Sequence, residues 1–286
     1  YPTESACQKA CNPLPPPSPS PPGGKSSNPF DESVYSYVTN PHLTDELKSV
    51  AEPAKSALNQ PAAFWVDKIE AIKDRTTVDG GSLKDYLDAA KTYSKKINGK
   101  VTVVFIVYDL PGRDCAANSS NGELEATPEG MKRYQTEYIG GLVNLLQNYG
   151  DLNLVAIIEP DSLGNAVTNL GKYKCTQTVI DYYYQGIIYA LKTLATLPNI
   201  SFYIDAAHGG WLGYVPNLKG FSDAICTKVL GDNLSQKVKD KIRGFSTNVS
   251  NYQPLGVSEV GQKATVSTDD PCNLEKDGAP NNEINY

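Results

Sequence analysis

The chain has 286 residues, 40% of them hydrophobic, which is enough for one sizeable core, and a formal net charge of −6. Twenty-six Lys and Arg against 32 Asp and Glu leave no cationic surplus to hold a nucleic acid or an anionic membrane surface, so neither is expected as a partner. No apolar run approaches the ~20 residues of a membrane span.

Residues 1–28 read as a linker tail. From Asn12 to Gly24 the chain is mostly Pro and Ser closed by two Gly, a semi-rigid polyproline spacer that cannot bury a core. Spacers of this kind separate modules, so a module is expected before Tyr1, with Cys7 and Cys11 as its last residues. The chain starts without Met or a signal-like apolar segment and is read as a mature or trimmed form.

Residues 29–286 form the globular part. A helix is predicted over 42–58, entered at Thr44-Asp45-Glu46. A short strand follows at 62–67, then a polar helix around 82–97. The run from Val101 to Val107 has no polar alternation and predicts a strand buried on both faces. It stops at Tyr108-Asp109-Leu110-Pro111-Gly112, where Pro and Gly force the backbone out of a sheet. Thr127-Pro128-Glu129 opens the next helix with an N-cap, Pro at the first position and an acid behind it. Met131, Tyr134, Tyr138, Leu142 and Leu145 then keep helical spacing up to Gly150. A strand at 152–158, a helix at 177–196 and a strand at 200–204 come next. A long irregular stretch with one helix near 235–242 leads to a last strand at 243–247.

This β-α alternation predicts a parallel sheet with helices outside it. About five strands are legible. A closed barrel of eight β/α units needs ~250 residues, and the residues from 29 to 286 suffice, yet several strands are not legible. A complete five-stranded open sheet is the alternative.

The six cysteines are Cys7, Cys11, Cys115, Cys175, Cys226 and Cys272. Neither they nor the two histidines, His42 and His208, complete a metal knuckle, and no metal or cofactor is implied. The even cysteine count, sequons at Asn118, Asn199, Asn233 and Asn248, and the Pro/Ser spacer favour a secreted, extracellular protein with disulfides. Three pairings stay open for the four later cysteines.

Every strand ends in residues able to do chemistry. The first gives Trp65 and Asp67; the second gives Tyr108, Asp109, Arg113 and Asp114; the third ends Glu159-Pro160-Asp161-Ser162. The fourth gives Asp205, His208, Trp211 and Tyr214, and the fifth gives Asn248 and Tyr252. In a parallel sheet these ends share one rim. Aromatic faces beside acids and amides suit a sugar, and paired carboxylates suit glycosidic cleavage. Any single acid here has a plainer reading as a cap of the next helix. G-x-S-x-G, Walker A, G-x-G-x-x-G and H-E-x-x-H patterns are all absent.

The segments YDLPGRDCA (108–116), SNGE (120–123), IEPDSL (158–163), VTNLG (167–171), DAAHGGWLG (205–213) and TNVSNY (247–252) resemble glycoside hydrolase family 6, from about Asn28 to the end. The resemblance implies a distorted, seven-stranded parallel β/α barrel and inverting hydrolysis of β-1,4-glucan, as a cellobiohydrolase or an endoglucanase, without a metal. It implies cellulose or cello-oligosaccharides as partners, with a carbohydrate-binding or docking module ahead of the linker. Asp161 matches the general acid, Asp114 the second carboxylate, Tyr108 the tyrosine under the distorted sugar, and Ser120 the serine that helps hold the attacking water. Trp65, Asp67, Arg113, Asp205, His208, Trp211, Tyr214, Asn248 and Tyr252 match sugar contacts, with Tyr214 replacing a Trp of some members. Cys115 and Cys175 match a disulfide across two active-site loops; Cys226 and Cys272, without a counterpart, are expected to pair with each other.

One departure bears on catalysis. The family's D-x-G-R-x-G and K-P-G-G-E-x-D segments, the second carrying the proposed catalytic base, do not occur after Asn248. The catalytic domain is therefore expected to be C-terminally incomplete, with its last strands missing. A glucan-binding protein without turnover is the alternative function.

Overall fold

The computed structural model describes residues 28–30, 34–35, 62–76 and 79–250. The spacer, the helix expected at 42–58, Cys7, Cys11, Tyr252 and Cys272 lie outside the described residues.

The sheet is built around β3 (Val101–Val107), as its unbroken apolar run requires. Six of its seven residues are buried, because it is paired along both sides. On one side β1 (Val34–Tyr35) pairs with its start and β2 (Phe64–Val66) with its end. On the other side lies β4 (Asn153–Ile158), followed by β5 (Ile200–Asp205) and β6 (Ile242–Ser246). All five pairings are parallel, so every strand delivers its carboxyl end to one rim. The register matches Val107 to Ile158, Ile158 to Ile204 and Asp205 to Ser246, which sets the turns after β3, β4 and β5 side by side.

Helices cover the faces. Helix α1 (Leu83–Ile97) opens on a reciprocal cap between Ser82 and Asp85 and turns Leu83, Tyr86, Leu87 and Ala90 inward. Helix α2 starts at Pro128–Arg133, capped by the Thr127 hydroxyl. It then widens into a π turn over Tyr134–Ile139 and continues as Gly140–Leu146. The five apolar positions read from the sequence are all buried, and the π turn between them was not foreseen. Such turns are rare and concentrate near functional sites.

Helix α3 (Ser162–Thr168) follows β4, and α4 (Gln177–Leu194) packs its apolar face inward. After β5 the stretch expected to be irregular is mostly helical. A one-turn helix (Gly209–Leu212) leads to α5 (Val215–Ala224), which runs into a second π turn (Ile225–Leu230). Pro216 and Gly220 mask this helix in the sequence. Pro216 sits in the first turn, where its missing N–H costs nothing. At Gly220 an added Cβ would stand 2.8 Å from Val167, so the glycine is what lets α5 lie close against α3.

Candidate active site

The rim encloses a cavity of about 430 Å³. Six of the residues singled out in the sequence line it: Trp65, Tyr108, Asp114, Ser120, Asp161 and Trp211. Ala116, Ala117, Ser119, Asn165, Asn169 and Ser250 complete the lining. Asn165 and Asn169 follow Asp161 at steps of four, so one face of α3 presents all three side chains. That signal was readable only once α3 was known to be a helix.

The backbone here is unusual. Asp114, Ser120, Glu159, Asp161, Ala207 and Asn248 all adopt positive φ, from 47° to 65°. Non-glycine residues take this conformation at a cost, and such residues cluster where side chains must be aimed.

Asp161 occupies the N-cap position of α3 but makes no side-chain cap, which rejects the plain reading for this acid. Its carboxyl is nearly buried and Oδ1 has no hydrogen-bond partner. Burial pushes its pKa above the ordinary carboxylate value, against the pull of a hydrogen bond from Ser250 and of nearby His208. Asp205 holds the turn from behind, with Oδ2 accepting the N–H groups of Asp161 (2.9 Å) and Ala207 (3.0 Å). It is itself buried and pushed up to about 7.

On the opposite wall the Tyr108 hydroxyl donates to Oδ2 of Asp114. Burial raises the Asp114 pKa, the Tyr108 hydrogen bond opposes that, and the Asp161 carboxyl adds to it. Tyr108 meets Trp65 edge to face at 5.1 Å. Trp211 forms the other aromatic wall. Its Nε1–H donates to Thr168 (2.8 Å), and its ring lies 3.0 Å from where a Cβ on Gly164 would be, so a side chain there would push the ring off its seat on α3 by a few tenths of an ångström. His208 sits beside it, ring centres 5.9 Å apart.

Other expected residues sit around the cavity rather than in its lining. Arg113 lies beneath the wall, its guanidinium stacked 4.3 Å over the Tyr108 ring. It donates to the carbonyls of Tyr108, Asp67 (2.6 Å) and Ser120 (2.9 Å). The Asp67 side chain is paired with Arg75. Tyr214 is the N-cap residue of α5, and the Asn248 N–H donates to the Ala207 carbonyl at 2.6 Å.

The Cys115–Cys175 disulfide is present and joins the loop after Asp114 to the loop between α3 and α4. Both sulfurs are buried, and the Tyr183 hydroxyl braces the first loop by accepting from Cys115 N (3.3 Å) and donating to Gly112 O (2.7 Å). Cys226 is disulfide-bonded, and its expected partner lies outside the described residues. A buried acid whose pKa is raised, a second carboxyl held by a phenol, amides and two indole faces around one cavity can bind a saccharide and give a proton to a glycosidic oxygen.

The comparisons agree with this chemistry. The family described as Glycosyl hydrolases family 6 matches residues 27–276. The chain is 40% identical over 218 residues to Exoglucanase A of Cellulomonas fimi, covering 76% of this chain and 24% of that protein. It is 36% identical over 240 residues to a Probable 1,4-beta-D-glucan cellobiohydrolase C of Aspergillus clavatus, covering 80% and 48%. Among solved structures, a CcCel6A catalytic domain complexed with p-nitrophenyl beta-D-cellotrioside superposes with a TM-score of 0.72 at 32% identity, covering 90% of this chain and 66% of that one. The chain thus spans about half or less of the length of these two curated relatives.

Proposed function

The chain belongs to the glycosyl hydrolases of family 6, and from that premise we propose that it cuts β-1,4-glucosidic bonds of cellulose or cello-oligosaccharides with inversion, as a cellobiohydrolase releasing cellobiose. The observation that carries this reading is the placement of Asp161, with a raised pKa and an unpartnered oxygen, on the same cavity as the Tyr108–Asp114 pair. Asp161 gives its proton to the glycosidic oxygen as that bond to the anomeric carbon breaks. A water oxygen bonds to the anomeric carbon from the opposite face and releases its own proton toward solvent. Asp114 favours the positive charge that develops on the sugar, and Tyr108 sits under the ring. Ser120 helps to hold the water. Trp65 and Trp211 give the faces on which neighbouring sugars stack, and Asn165 and Asn169 offer amides to hydroxyls.

The names of similar proteins, Exoglucanase A and cellobiohydrolase C, support exo action. Secretion, a linker over residues 1–28 and a preceding carbohydrate-binding or docking module complete the proposal. Proton NMR of cellohexaose hydrolysis tests it. Cellobiose appearing first as its α-anomer is expected. A ladder of all lengths would replace the exo reading with an endoglucanase, and β-anomer or tight binding without cleavage would overturn the inverting hydrolase.

A further inference from the structure

Two acids that the mechanism leaves unused lie directly behind the cavity wall. Asp109 is 0% and Glu159 1% exposed, and neither lines the cavity. Glu159 Oε1 accepts the Tyr134 hydroxyl at 2.7 Å and the Asp109 N–H at 3.3 Å, while Oε2 accepts the Leu110 N–H at 3.4 Å. Asp109 Oδ1 lies 3.4 Å from Arg113, and its Oδ2 has no partner. Among the described residues, the charged groups that face the pair are one cation, Arg113, and two further acids, Glu123 and Asp67, on the Asp109 side. Two ionised carboxylates against a single guanidinium would leave a buried charge uncompensated, and a proton removes it.

We infer that above neutral pH Asp109 and Glu159 hold one proton between them, carried by Asp109, and that ionised Glu159 is a positioning residue for the turn bearing Tyr108 and Asp114. The donor set supports this assignment. Glu159 accepts three hydrogen bonds and needs its charge, whereas Asp109 makes one long contact and leaves an oxygen free for a proton. Burial also pushes Asp109 up to about 9 and Glu159 only to about 7.

The grip reaches the site through the backbone. Glu159 fixes the N–H groups that immediately follow Tyr108. It also balances the charge of Arg113, which stacks on Tyr108 and holds the carbonyls of Tyr108 and Ser120. Asp114, the residue after Arg113, receives its orientation from the same turn.

The test uses Asp109→Asn and Glu159→Gln in the full chain; its turnover arm rests on the function proposed above. All readings are taken at pH 8, above the value of about 7 for Glu159 and Asp205 and below the value of about 9 for Asp109; there wild type should show the infrared band of a protonated buried carboxyl, and Asp109→Asn should lose it. Asp109→Asn should keep kcat on cellohexaose within about threefold. Glu159→Gln should lower kcat at least about tenfold with KM within about twofold, counted per site titrated through the fluorescence of Trp65 and Trp211. A loss of folded protein alone would not produce that split. Greater damage from Asp109→Asn than from Glu159→Gln, silence of both, or an absent infrared band would overturn the assignment. If wild type neither binds nor cleaves glucan, the proposed function fails, and the infrared arm still decides the proton.

Discussion

The hydroxyl of Tyr108 donates to the carboxylate of Asp114, six residues further along the chain. Both groups are mostly buried, and the Arg113 guanidinium lies over the phenol ring and packs it in place. A carboxylate that accepts such a bond keeps its charge more easily than burial alone would allow. Tyr108→Phe removes the donor and is expected to raise the Asp114 pKa further. Turnover should fall by roughly ten- to a hundredfold at pH 6, with partial recovery at higher pH as Asp114 ionises. A rate unchanged across pH 5 to 8 would show that the bond has no part in catalysis.

The Cys115–Cys175 disulfide closes a loop of 60 residues that contains β4 and the Asp161 turn. In the chain-entropy picture such a crosslink contributes about 4 kcal/mol. Replacing both cysteines with Ser is expected to lower the melting temperature by at least about 5 °C and to weaken cello-oligosaccharide binding. Binding should suffer because Asp114, Ala116 and Asn169 then lose their common tether. Calorimetry and a fluorescence titration check this; equal melting temperatures would contradict it.

The buried acids behind the cavity wall set how stability depends on pH. Asp109 is raised to about 9, Glu159 to about 7 and Asp205 to about 7, each first by burial. Unfolded carboxyls titrate near pH ~4, so between that value and pH 7 to 9 the folded chain binds more protons than the unfolded one. Stability from these groups is therefore full below about pH 4 and falls as pH rises through 7 and then 9. The melting temperature should be higher at pH 5 than at pH 9, and Asp109→Asn should flatten the alkaline part of the decline. A melting temperature that rises toward pH 9 would refute the assignment.

Where periodicity or capping chemistry is strong, the fold was legible in the sequence. The run Val101–Val107 is observed with the predicted bounds, and Thr127 caps α2 as its Pro and Glu neighbours imply. Helices α3 and α5 escaped notice for physical reasons. The first has only seven residues, too short for a periodic stripe, and the second carries Pro216 and Gly220 to fit against its neighbour. Missing α3 hid Asn165 and Asn169, whose place on the cavity depends on its helical phase. Arg113 read as a group for the ligand, yet the chain reverses at Pro111-Gly112 and turns the guanidinium onto backbone carbonyls. Only the three-dimensional path of that turn decides between those two uses.

If Asp161 protonates the leaving oxygen, its loss must show in one comparison of rates. Asp161→Asn is measured on cellohexaose, whose sugar leaving group needs a proton, and on a dinitrophenyl cellotrioside, whose phenolate does not. A loss of at least about a hundredfold is expected on the first and less than about tenfold on the second. Equal losses on both substrates, or full activity on cellohexaose, would contradict it.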